Sequence, residues 1–112
     1  MPGTHLAKAE LFRVLGHPVR VRILELLRDG PRGVGELQAA LGLDSSGTSQ
    51  HLGALRRQGL LESTKEGTSV FYRIKDPRTL ELLVVAREIL TATLTESRAL
   101  LAELAAERPR RR

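Results

Sequence analysis

The chain has 112 residues, 41% of them hydrophobic but only 3% aromatic, which is enough for one aliphatic core and not for two. It contains no cysteine, so disulfides, iron–sulfur clusters and thiolate metal sites are excluded. The formal net charge of +5 owes four charges to Arg108, Arg110, Arg111 and Arg112, which leaves +1 on the rest; global charge is therefore weak support for a nucleic-acid partner.

In chain order, a loose opening segment, Met1 to Thr4, precedes a first helix expected from about His5 to Leu15. Leu11, Phe12, Val14 and Leu15 give it more apolar surface than so short a helix needs for its own packing. Gly16 ends it, His17 caps the next helix, and Pro18 stands at a first-turn position where its missing N–H costs nothing. The second helix is expected from Pro18 to about Arg28, with Val19, Ile23, Leu26 and Leu27 facing inward, and Gly30-Pro31 breaks it.

Two short helices and a tight turn follow. Val34, Leu37 and Leu41 recur at helical spacing, and Gly42 stands where a helix stops in a left-handed residue. Asp44 and Ser45 are N-cap residues for a helix over 44–58, anchored inward by Leu52 and Leu55 and ended by Gly59. Ser46, Thr48, Ser49, Gln50, His51 and Arg56 are left on its outer side. Short hydrogen-bonding side chains at a helix N-terminus, with cations behind them, suit a helix entering a DNA major groove. The same stretch also fits an ordinary helical hairpin with a solvated polar face.

After Gly59 the period changes from helical to alternating, and Val70-Phe71-Tyr72-Arg73-Ile74 is rich in β-branched and aromatic residues. Two strands around Glu66-Gly67 predict a hairpin over 60–74 whose tip carries Lys65, Thr68 and Ser69. A helix-turn-helix followed by such a hairpin is a winged helix, and the wing tip can reach a neighbouring minor groove or phosphate. Asp76-Pro77 then starts a last helix running to about Glu107. Leu82, Ala86, Ile89, Leu90, Leu94, Leu101 and Leu104 fall along one side of it. A helix of about 30 residues spans about 45 Å, more than so small a domain covers. Its stripe predicts a two-fold homodimer in which Leu11, Phe12, Leu82, Ile89, Leu90, Leu94 and Leu101 meet a second copy. A helix lying across its own domain is the competing arrangement.

The run from Leu15 to Leu27, with Gly16-His17-Pro18-Val19-Arg20 at its head, resembles the second helix of the ArsR/SmtB family of bacterial repressors. Val34 to Leu61, with Thr48-Ser49-Gln50-His51-Leu52, resembles that family's helix-turn-helix, and Lys65 to Arg73 its wing. The likeness covers about 60% of the chain. It implies a mainly α (α+β) winged helix-turn-helix of four helices, two strands and a long C-terminal dimerisation helix, in that order. Residues 1–107 then form a single DNA-binding and dimerisation domain, and 108–112 a basic tail that is either a solvated end or an electrostatic accessory tracking phosphates.

The resemblance implies a cytoplasmic, dimeric repressor that binds a palindromic operator in double-stranded DNA. Ser45, Ser46, Thr48 and Ser49 would touch phosphates and base edges, Gln50 and His51 would read bases, and Arg56 and Arg57 would hold phosphate, with Lys65 and Thr68 on the wing. Gly47, inside the first turn, departs from the pattern and is expected to leave that turn soft. The family's sensing roles do not carry over. Gly33, Val34, Gly35 and Glu36 stand where its metal-binding cysteines would be, and the last helix has no histidine.

His5 and His17 remain as ligands for a site of oxygen and nitrogen donors suited to Ni²⁺ or Zn²⁺. A signal arriving through a small ligand or a partner sensor protein stands beside that reading, as does a dimeric protein-interaction module. No catalytic constellation can be assembled from these residues, and no apolar run approaches membrane-spanning length, so neither an enzyme nor a membrane protein is expected.

Overall fold

A computed structural model of the chain describes residues 3–107; the basic tail at 108–112 lies outside the described residues. The elements run α1 (Thr4–Leu15), α2 (Pro18–Leu26), β1 (Arg32–Gly33), α3 (Val34–Leu41), α4 (Ser45–Arg57), β2 (Leu61–Glu66), β3 (Ser69–Ile74) and α5 (Arg78–Ala106). The order is the expected one with an addition, the strand β1, which makes the wing a three-stranded antiparallel sheet in the order β1-β3-β2. Arg32 pairs with Tyr72 and Gly33 with Phe71. Two residues cannot display an alternating pattern, so β1 exists only through the partner it finds far along the chain. The second helix also stops earlier than expected, at Leu26, because the chain turns there well before Gly30-Pro31.

Local chemistry sets the element ends. His17 is extended (φ −132°, ψ 129°), and its Nδ1 accepts the Val19 N–H at 3.1 Å, capping α2 ahead of Pro18. Gly33 N–H donates to Glu36 Oε1 at 3.1 Å at the start of α3. Gly42 and Gly59 end α3 and α4 in left-handed conformations, as their positions predicted. At the wing tip Glu66 pairs with Ser69, leaving Gly67-Thr68 as a two-residue loop. Gly67 alone takes a positive φ there, 63°, the requirement of a type II′ turn at its first central position. Asp76 accepts the Arg78 N–H at 3.0 Å where α5 begins, and hydrogen bonds from the Arg78 side chain and backbone hold its carboxyl down at about 2.

The residues up to Leu80 form one compact unit, and α5 from Glu81 onward forms another. In the first unit Ile23, Leu24, Leu37, Leu52, Leu55 and Leu61 are fully buried, an aliphatic core with no aromatic ring among its deepest members. Leu24 is an addition to the expected inward set of α2, whereas Val19 and Leu26 are only half-buried. Among the described residues no helix is long and apolar enough to cross a membrane.

The start of α4 is held by Asp44, whose Oδ1 accepts the Gly47 N–H at 2.7 Å. A Cβ on residue 47 would stand 2.8 Å from that oxygen, so any other side chain would displace the cap. Gly47 therefore makes room for a close cap, rather than simply softening the turn. Asp44→Ala is expected to cost about 1 kcal/mol, read as a lower urea midpoint at unchanged m-value.

Candidate nucleic-acid interface

The outer side of α4 is built by periodicity. Leu52 and Leu55 turn into the core, and Asp44 caps the first turn. Ser45, Ser46, Ser49 and Gln50 are exposed there, and Arg56 and Arg57 are exposed at the helix's other end. Arg56 leans on the wing, its Nη1 donating to Ser63 Oγ at 3.3 Å. Lys65 and Thr68 are exposed at the hairpin. Among the described residues Arg56, Arg57 and Lys65 make no ion pair, whereas Arg32 and Arg73 are tied to Glu36 and Glu62 at 3.6 and 2.8 Å. Exposed cations without an ion pair thus stand at the far end of α4 and on the wing, a distribution that attracts a polyanion.

Two of the expected contact residues are placed differently. Thr48 is completely buried, and its hydroxyl donates to the Asp44 carbonyl at 2.8 Å. It belongs to the inward stripe with Leu52 and Leu55, four and seven residues on, and cannot touch a ligand as the helix stands. His51 is half-buried, with its Nδ1 edge engaged by a neighbouring side chain rather than free. Its ring lies with its centroid 4.4 Å from that of His17, tilted by 49°, and its Nδ1 accepts from Arg20 Nε at 3.2 Å. Burial, then the neighbouring His17 and Arg20, lower its pKa from the ordinary imidazole value and favour the neutral ring.

Arg20 has no role that the sequence announces. The arginine is one turn from His17, but nothing local signals that both meet a residue of α4. An open groove of about 620 Å³ was also unforeseen. It runs between the start of α3 and the wing, with Gly35, Glu36, Ser49, Thr68 and Tyr72 in its lining. Its walls bring a helix-4 serine and a wing threonine to one depression.

The apolar surfaces are wider than one stripe. Phe12 is 59% exposed on α1, and Ile89, Leu90, Leu94 and Leu101 are 60–64% exposed on α5. Leu82 is less open at 37%, Leu11 is half-buried, and Val84, Val85 and Leu100 add exposed apolar area outside the expected stripe. His5 is exposed on α1, while His17 uses Nδ1 for its cap and could offer a metal only Nε2. Among the described residues no group of three or more His, Cys, Asp or Glu is arranged to hold a metal ion.

Comparison with known proteins follows the same lines. The model of the family described as bacterial regulatory protein, arsR family, matches residues 17–63. An HTH-type transcriptional regulator of Mycobacterium tuberculosis, Rv0081, is 47% identical over 100 residues, 88% of each chain. The biofilm growth-associated repressor of Xylella fastidiosa is 35% identical over 75 residues, 67% of this chain and 66% of that one. The crystal structure of Rv0081 superposes with a TM-score of 0.80 at 44% identity, covering 87% of this chain and 98% of that one. The solution structure of a homodimeric winged helix-turn-helix DNA-binding domain from Mycobacterium bovis, Mb0332, gives 0.72 at 30% identity, covering 80% and 83%.

Proposed function

Because the chain belongs to the ArsR family of bacterial regulatory proteins, DNA-binding transcriptional regulators of repressor type and not enzymes, we propose that it acts as a homodimer on a palindromic operator. The observation that carries this reading is the exposed serines and glutamine at the Asp44-capped start of α4, with Arg56 and Arg57 exposed at the helix's other end and Lys65 on the wing, none of the three in an ion pair among the described residues. In this reading Ser45, Ser46 and Ser49 meet the backbone and base edges at the mouth of the major groove, and Gln50 and His51 read bases. Arg56 and Arg57 hold phosphate, and Lys65 and Thr68 bring the wing to the neighbouring groove or phosphate. Thr48 serves from inside, as part of the scaffold.

The second copy covers the apolar faces of α1 and α5 in this proposal. The homodimeric M. bovis domain supports the assembly by likeness, and the exposed leucines supply the physical motive. A response to Ni²⁺ or Zn²⁺ would be built on His5, or on Nε2 of His17, with oxygen ligands, because α5 offers no histidine. A small ligand or a partner sensor protein is the other route for the signal.

The test is fluorescence anisotropy on a duplex from the gene's own promoter and on a scrambled duplex, repeated with each metal. Gln50→Ala and His51→Ala are each expected to reduce the preference for the promoter by about 1–3 kcal/mol. Unchanged preference in both variants would favour a module that docks a protein through this surface instead of DNA.

A further inference from the structure

Arg20 and His51 lie 31 residues apart and meet side chain to side chain. Arg20 Nε donates to His51 Nδ1 at 3.2 Å, and Arg20 Nη1 donates to the Val14 carbonyl at 3.2 Å. One guanidinium therefore joins the last turn of α1 to the middle of α4. His17 lies beside the same imidazole, and its own Nδ1 is taken by the Val19 N–H. A guanidinium has donors only and does not lose its proton in proteins. The nitrogen of His51 that faces it must carry the lone pair, and the proton of the neutral ring is then on Nε2.

We infer that Arg20 is a positioning residue for operator recognition: by occupying Nδ1 it fixes His51 as the Nε2–H tautomer, so that His51 presents DNA with a hydrogen-bond donor and selects an acceptor. This rests on the reading of α4 as the recognition helix and adds a chemical polarity to it. The partners that such a donor accepts in a major groove are guanine N7 or O6, adenine N7 and thymine O4, while the cytosine amino group, itself a donor, is refused. An untethered imidazole can show either polarity. Arg20 removes the choice, and it does so from an element that itself need not touch DNA.

The experiment uses the full chain, ¹⁵N-labelled, at a pH where the imidazoles are neutral. Long-range ¹H–¹⁵N spectra should show His51, and His17 with it, protonated on Nε2. Arg20→Met should give His51 a mixed tautomer, and Arg20→Lys, which keeps a donor, should restore part of the wild-type pattern. His51 protonated on Nδ1 in the wild type, or unchanged in Arg20→Met, overturns the inference. If Arg20→Met fails to fold, the wild-type spectrum and Arg20→Lys still decide it.

A second arm measures binding of the wild type, Arg20→Met, Arg20→Lys and His51→Ala to the promoter duplex and its single-base-pair variants. Arg20→Met is expected to lose preference at the same base pair as His51→Ala, by about tenfold, with Arg20→Lys in between. An equal loss at every base pair marks a merely structural role and contradicts the inference. A wild-type protein without base preference overturns the DNA half through the parent reading; spectra with the expected tautomers would then place the failure in that reading and not in the tautomer.

Discussion

Replacing Leu94 and Leu101 together with glutamate is expected to yield a monomer whose affinity for the promoter duplex is about 10²- to 10⁴-fold lower. Both leucines are more than 60% exposed in the single chain, so the charges cost the isolated helix little. In a dimer that covers this stripe they would be buried, four at a time, and desolvation with like-charge repulsion would oppose assembly. In the proposed dimer two α4 helices would bind as a linked pair, and a monomer would lose the effective concentration of the second. Sedimentation equilibrium reads the assembly and anisotropy the affinity. A variant that stays dimeric would place the interface elsewhere. Unchanged urea unfolding of the winged-helix unit would show that the loss is one of association.

The second large effect concerns the core. Leu55 is fully buried at the inward side of α4, and its carbonyl accepts the Leu60 N–H at 3.0 Å where the chain leaves the helix for the wing. Leu55→Ala removes apolar contact and leaves a cavity that neighbouring aliphatic side chains fill only in part. The expected cost is about 2–5 kcal/mol, a large share of a stability of roughly 5–15 kcal/mol. Urea denaturation measures it. Because Leu55 anchors the helix that carries Gln50 and His51, DNA affinity should fall with the folded fraction and recover at low temperature or with added osmolyte. A cost below about 1 kcal/mol would contradict the burial of this side chain.

What the sequence displayed was whatever depends on near neighbours. Helix ends were written in His17-Pro18, Gly42, Asp44 and Gly59, since caps and left-handed stops are made by residues within a few positions. The wing was visible in the period change after Gly59 and in Glu66-Gly67. The winged-helix order, a DNA-facing helix and a second copy on the last helix followed from these signals, and the resemblance to a family added the repressor role. What stayed hidden depends on residues distant in sequence. The strand at Arg32-Gly33 has too little length for a pattern and is defined by Tyr72 and Phe71. His51 was placed outward by its helical position, but the structure turns it onto Arg20 and His17, which no local rule announces.

Thr48 is the instructive exception. Its hydroxyl suggested a contact residue, yet its spacing from Leu52 and Leu55 already put it on the buried face. Periodicity is the stronger signal at this position than residue chemistry. Gly47 shows the same priority from the other side, since the space it leaves is used by the Asp44 cap. On α5, Val84, Val85 and Leu100 are exposed beside the expected stripe.

The most direct test of the central claim is a hydroxyl-radical footprint of the protein on its own promoter fragment. A dimer reading DNA with two α4 helices should protect two patches centred about 10 base pairs, or a multiple of that, apart, on sequences related by a two-fold axis. A single patch would contradict the dimeric operator complex. Uniform protection, independent of sequence, would contradict specific recognition itself.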